Sequence, residues 1–176
     1  IVDSILFDFD DIKNAINNAP KSKNPLLIYL IDHGTNGRGF IIDSDSKIYA
    51  TQLNKVLDDY QTTSKRKIIV VVDSCYSGAF VDILKAENRV VLSSGSKDEL
   101  VQMSTSGISF TNYFIQNLSD KRGLKESYDK AASTYTGIVK NSHPQSSFDD
   151  NELANSPFGF LHNASAEVIK SFTKDI

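Results

Sequence analysis

Two side chains in this sequence can do covalent chemistry together. One is His33, in YLIDHGTNG; the other is Cys75, the chain's single cysteine, in VVVDSCYSG. A thiolate is a strong nucleophile, but a thiol of ordinary pKa, near 8.5, is mostly protonated at neutral pH. A neighbouring imidazole can take up that proton and later protonate a departing amine. Gly34, beside the histidine, carries no Cβ and lets backbone approach a substrate carbonyl closely. The N–H groups of Gly34 and Cys75 can then form an oxyanion hole, an arrangement worth about 3 kcal/mol in acyl transfer.

For this to work, the two residues must meet, and the flanking sequence supplies the means. Leu26-Leu27-Ile28-Tyr29-Leu30-Ile31 and Ile68-Ile69-Val70-Val71-Val72 are continuous apolar runs, the pattern of buried strands. Each run ends in an aspartate, Asp32 or Asp73, and then presents its reactive residue. In open parallel sheets, ligands bind beyond the carboxyl ends of the strands. Neighbouring strands lie about 4.8 Å apart, so adjacent runs would aim imidazole and thiol at one pocket.

The remaining segments read as an α/β alternation with a largely parallel sheet. Helices are expected over Asp8–Asn18, Thr51–Tyr60 (with Thr51 as its cap), Ala79–Ala86, Ile108–Leu118 and Leu124–Val139. Phe40–Ile42 reads as a short strand and Arg89–Ser93 as a third strong one. Residues 94–107 and the polar stretch HPQSSFDDNELANSP read as loop or linker, with a last short helix over Glu167–Phe172. His143 and His162 have the contexts of surface residues. Residues 1–140 are therefore expected to form the catalytic domain, with 141–176 an extension or linker packed on it.

Bulk properties narrow the function. The chain has 176 residues, 40% hydrophobic and 23% charged, with a net charge of −3. That is ordinary for a globular domain and argues against nucleic acid as a partner. No apolar run reaches the roughly 18 residues of a membrane span. A lone cysteine makes no internal disulfide. The chain begins at Ile1 and reads as a piece of something longer, with an N-terminal strand left out. A secreted or cell-surface precursor is the expected setting.

The His-Gly strand end, followed by a strand closing in Asp-Ser-Cys-x-Ser-Gly, resembles the caspase-like (clan CD) cysteine peptidases: caspases, metacaspases, clostripain, gingipains and legumain. The triplet Asp32-His33-Gly34 is most similar to that of legumain and its bacterial relatives. The 42-residue separation of His33 and Cys75 is close to the roughly 50 of caspases, and the histidine precedes the cysteine. The resemblance is clear from Leu26 to Ser94 and looser to Phe114. It implies a caspase-like α/β/α sandwich with a mostly parallel central sheet flanked by helices. It also implies a cysteine endopeptidase with Cys75 as nucleophile and His33 as general acid/base, Gly34 and Cys75 as oxyanion donors, and a peptide or protein substrate. Neither metal nor organic cofactor is called for.

Specificity is expected to come from Asp73, Ser94, Asp98 and Asp32. Alternation points Asp73 to the same side as Cys75. Legumain-like enzymes resembling this chain have glutamate at that position, caspases glutamine, and the Arg/Lys-cleaving members aspartate. A carboxylate at the pocket base favours a cationic side chain, so Arg or Lys is expected at P1, with Asn the runner-up. Leu100 and Val101 stand where legumain has serines, which weakens the asparagine reading. Asp73 as a helix cap before Ser77-Gly78, and Asp32 as a turn-stabilising acceptor, are the plainer alternatives.

Other thiol chemistries fit poorly. The Gly-x-Cys-x-Gly elbow of amidotransferases is absent, Val81 stands where a phosphatase loop needs arginine, and Cys-x-x-Cys is impossible. A silent or latent caspase-like scaffold remains the alternative, although such modules usually lose the histidine or cysteine. Ser119–Gly123 is a conceivable self-processing loop if P1 is basic. The cluster Asp149-Asp150-Asn151-Glu152 lacks calcium-loop spacing and reads as a polar loop. The sequons at Asn117 and Asn163 matter only in a eukaryotic secretory pathway.

Overall fold

The computed structural model describes residues 8–20, 22–102, 108–119 and 122–156. The expected helix over Glu167–Phe172, His162 and Asn163 lie outside these residues, as does part of the candidate processing loop.

The central sheet has the order β1-β5-β6-β7, formed by Leu26–Ile31, Ile68–Asp73, Arg89–Ser93 and Ser146–Phe148. The first three strands are parallel and the last is antiparallel. Helices α1 (Phe9–Asn17), α2 (Ala50–Ser64) and α3 (Gly78–Leu84) cover one face; α4 (Phe110–Ser119), α5 (Leu124–Ile138) and α6 (Asn151–Asn155) cover the other. The architecture is an α/β/α sandwich with a mixed, mostly parallel sheet, as the motifs imply.

Every side chain of β5 is buried, and alternation divides them between the two layers. Ile68, Val70 and Val72 enter the core with Leu53, Leu57 and Phe80. Ile69 and Val71 enter the other with Phe110, Phe114 and Tyr135. Asp73 continues the second series.

Between β1 and α2 the chain forms a small antiparallel sheet from β2 (Gly34–Thr35), β3 (Gly39–Ile41) and β4 (Lys47–Tyr49). Its first turn is a three-residue loop ending in Arg38 at φ 62°, with the Arg38 N–H donating to the Thr35 carbonyl at 3.1 Å. Phe40 and Ile48 carry this sheet into the core. Only the β3 part was expected from sequence, because two- and three-residue strands leave no periodic signal.

Three readings are corrected. Helix α2 starts one residue earlier and runs to Ser64, and Tyr49 rather than Thr51 precedes its first turn, with the Gln52 side chain accepting the Tyr49 N–H at 3.3 Å. The polar stretch after Asn141 is not a simple loop: Ser146–Phe148 pairs with β6, and Asn151–Asn155 is helical. Within it Asp150 caps α6 by accepting the Leu153 N–H at 2.9 Å, and it pairs with Lys67 at 2.7 Å.

Phe110 is fully buried at the head of α4, stacked on Phe114 (5.8 Å) and edge-on to Tyr128 (5.7 Å). Phe110→Ala is expected to lower unfolding stability by about 3–5 kcal/mol, seen as a lower urea midpoint at an unchanged m-value.

Candidate functional site

The site is assembled where β1 and β5 end. Parallel pairing puts Ile31 opposite Asp73, and the Asp32 N–H donates to the Asp73 carbonyl at 3.3 Å. The sequence DHG and the sequence DSC therefore leave the sheet side by side. Their closest approach is at Gly34. A Cβ on this residue would lie 1.9 Å from the Cys75 carbonyl oxygen and 2.9 Å from the Ser74 hydroxyl. Only glycine fits there.

The same strand end governs where N–H groups point. The Ile41 N–H donates to the His33 carbonyl at 2.9 Å, and Gly34 faces Phe40 in the ladder. Because hydrogen-bonded and non-hydrogen-bonded pairs alternate, the Gly34 N–H points away from β3. Among the described residues no hydrogen bond engages the Cys75 N–H either. The Tyr76 N–H, by contrast, is taken by the Glu99 carbonyl at 2.8 Å, and Tyr76 sits in the left-handed region at φ 58°. Among the described residues, the Gly34 and Cys75 N–H groups thus have no partner, and that of Tyr76 is committed.

His33 is exposed, and among the described residues its ring makes no hydrogen bond. Its backbone is fixed by Asp32, whose carboxylate accepts the His33 N–H at 2.6 Å. Cys75 is half-buried. Its sulfur accepts from the Val101 N–H at 3.4 Å and donates toward the Val101 carbonyl at 3.7 Å.

Asp73 has no exposed surface. Its Oδ2 accepts from the Thr111 N–H at 3.0 Å and from the Thr111 hydroxyl, so it satisfies an orphan donor at the start of α4. The Thr111 hydroxyl in turn accepts from the Tyr29 hydroxyl at 3.1 Å. Burial raises the Asp73 pKa above the ordinary aspartate value; Thr111 and Ser94 oppose that shift without cancelling it. The Ser94 hydroxyl is near enough to ease the charge, but Oδ1 meets no donor at hydrogen-bonding geometry among the described residues. The aspartate caps α4, not the helix after Ser77-Gly78. Tyr29, beneath it, is pushed up mainly by burial, with Thr111 opposing and the Asp73 charge adding.

Ser94 is buried at the end of β6, its hydroxyl 3.5 Å from that of Ser77. Asp98 does not join this group: it is exposed and paired with Lys97 at 3.7 Å. His33, Gly34, Cys75, Asp73, Asp32 and Ser94 are thus gathered at one edge of the sheet. Sequence reasoning missed Thr111, Glu99 and Tyr135. Thr111 carried a weak signal, as a hydroxyl residue opening an expected helix; the other two carried none.

Residues 9–157 match the family model of the peptidase C13 family, the legumain-type cysteine peptidases of clan CD. The chain belongs to the peptidase C13 family. It is a cysteine-type peptidase, a hydrolase acting on peptides or proteins. No curated protein matches it. No helix among the described residues is long and apolar enough to cross a membrane.

Two outcomes follow for the peptidase. Gly34→Ala forces the two strand ends apart, so peptide hydrolysis should fall at least ~100-fold, since small misplacements of reacting groups cost that much; turnover assays on folded protein check this. Asp73→Asn should raise Tm at pH 7 by at least ~2 °C, equivalent to about 1 kcal/mol in a chain of this size. The raised pKa fixes the sign: the cost of the ionised buried carboxyl is full at high pH and disappears as pH falls below the unfolded aspartate value. The gain should therefore shrink between pH 7 and pH 4, as read by thermal unfolding at both.

Proposed function

We propose that the peptidase is an endopeptidase working through a Cys75–His33 dyad and a thioester, with Arg or Lys favoured at P1 and Asn second. The observation that carries this reading is the seat of Gly34 on the Cys75 carbonyl, which ties the histidine's strand end to the thiol's.

In the proposed sequence, His33 takes the Cys75 proton and the thiolate attacks the scissile carbonyl carbon. The carbonyl electrons move onto oxygen, which the Gly34 and Cys75 N–H groups stabilise. Collapse of this adduct breaks the C–N bond, and His33 protonates the leaving amine. Water, deprotonated by His33, then attacks the thioester and returns the thiol. Asp32 holds the backbone that orients His33. The imidazole has no other partner among the described residues to compete for it.

Support for a basic P1 residue comes from Asp73. Strand alternation would point it to the same side as Cys75; it is buried, and one carboxylate oxygen meets no donor at hydrogen-bonding geometry among the described residues. A substrate guanidinium or ammonium would supply the missing hydrogen bond and relieve an ionised buried group. Ser94 adds a polar group beside it; Asp98, turned to solvent, would contribute charge only at the rim.

One observation favours the second reading, a latent or silent module: Val101 engages the sulfur through both its N–H and its carbonyl. In that reading residues 99–102 must shift before a substrate is attacked.

Fluorogenic peptides bearing Arg, Lys, Asn or Asp at P1, assayed beside Cys75→Ala, separate these. The expected result is cleavage after Arg and Lys at least ~10-fold faster than after Asn, and none in the variant. Cleavage after Asn alone would overturn the role of Asp73 while leaving the dyad intact. No cleavage by a folded chain would favour the latent module.

A further inference from the structure

Among the described residues, the hydrogen bonds of the thiol go to the segment after β6, and that segment is held from a distance. The Glu99 carboxylate accepts from four donors: the Ser96 hydroxyl at 3.0 Å, the Ser142 hydroxyl at 3.4 Å, the His143 N–H at 2.5 Å and, through Nδ1 at 2.8 Å, the His143 ring. Two of these residues follow α5, more than forty positions along the chain. At the far end, the Tyr135 hydroxyl donates to the Gln102 carbonyl at 2.6 Å and accepts the Gln102 N–H at 3.1 Å. Between the anchors only Leu100 and Val101 remain. Leu100 is 65% exposed, while Val101 turns inward onto the sulfur.

From its own backbone, Glu99 also reaches the nucleophile. Its carbonyl holds the Tyr76 N–H, fixing the left-handed residue that follows Cys75. One residue thus touches both sides of the thiol's setting: the turn after Cys75, and the segment that places Val101 on Sγ. A four-donor carboxylate on an otherwise solvent-facing loop is more than solubility requires, since surface carboxylates ordinarily pair with water. Partial burial pushes the Glu99 carboxyl up, but the His143 backbone and ring, followed by Ser96, outweigh it and hold the group below the usual carboxylate range.

We propose that Glu99 is a positioning residue for the nucleophile: clamped by Ser96, Ser142 and His143, it sets the Glu99–Gln102 strap that fixes the Cys75 sulfur and the turn behind it. The inference rests on the proposed Cys75 chemistry for its effect on turnover, but not for its effect on the strap. Glu99 does not touch substrate; it acts through Val101 and Tyr76. Its function is carried by accepted hydrogen bonds, not by charge. Glutamine can replace it, because its carbonyl oxygen still accepts the His143 N–H, while the hydroxyl of Ser96 and the tautomer of His143 can turn to accept from its amide.

The test measures Val101 amide exchange by NMR together with kcat and KM, in wild type, Glu99→Ala and Glu99→Gln. Val70 and Val91, in the central strands, serve as reference amides. In Glu99→Ala, Val101 protection should fall at least ~10-fold relative to the references, and kcat at least ~10-fold with KM within about twofold. Glu99→Gln should restore both to within about threefold. If Glu99→Ala fails to fold, Tyr135→Phe, which frees the Gln102 anchor and removes the hydroxyl's interaction with Ser142, should still lower Val101 protection several-fold. Unchanged Val101 protection in the folded variant overturns the proposal, as does lost protection with unchanged kcat, or a loss that glutamine does not restore. If the wild type hydrolyses no peptide, the dyad reading fails by itself, and the exchange measurement alone decides the clamp.

Discussion

The close seat of Gly34 on the Cys75 carbonyl is the constraint on which the rest of the site depends. Two strand ends carrying reactive residues can be neighbours in a sheet and still diverge as they leave it. Here the register of β1 on β5 sets them level, and the absence of a Cβ lets them remain in contact one residue beyond His33. The small β2-β3-β4 sheet then leads the chain away. Because Gly34 falls at a non-hydrogen-bonded position of that ladder, its N–H is not taken by β3. One backbone contact thus brings the strand ends that carry His33 and Cys75 to the same place.

The strict alternation of β5 does the second part of the work. It sends Ile68, Val70 and Val72 into one core and Ile69, Val71 and then Asp73 toward the other. A carboxylate in that series costs stability, and the structure meets only part of the cost, through Thr111 at the head of α4. The aromatic packing of Phe110 on Phe114, Tyr128 and Tyr135 holds that helix start in place. An incompletely satisfied, buried acid two residues from a thiol is the kind of local conflict that clusters at functional sites.

Much of this was legible in the sequence, for physical reasons. The three parallel strands are apolar runs, and His33 and Cys75 stand just beyond the ends of two of them, so fold class and the adjacency of those two strand ends could be read locally. The edge strand Ser146–Phe148 could not: two adjacent serines and one phenylalanine are too short a run to show a period. Asp150 looked like loop acid because its pairing with Lys67 depends on a residue 83 positions away; its cap of α6, through the Leu153 N–H three positions on, was a local signal that went unread. The Glu99 and Tyr135 anchors likewise rest on contacts distant in sequence, which no period or spacing announces. Asp98, one residue from Glu99, was named for the pocket while its neighbour was overlooked; the fold turns one side chain to solvent and the other inward.

The central claim is that Cys75 and His33 act as one catalytic pair. The most direct measurement is covalent labelling of the folded chain by a peptidyl acyloxymethyl ketone with arginine at P1, followed by intact mass and peptide mapping. The account predicts one adduct per chain, on Cys75, formed at least ~100-fold more slowly when His33 is alanine. Labelling that proceeds equally fast without His33, or a folded wild-type chain that takes up no label, would contradict it.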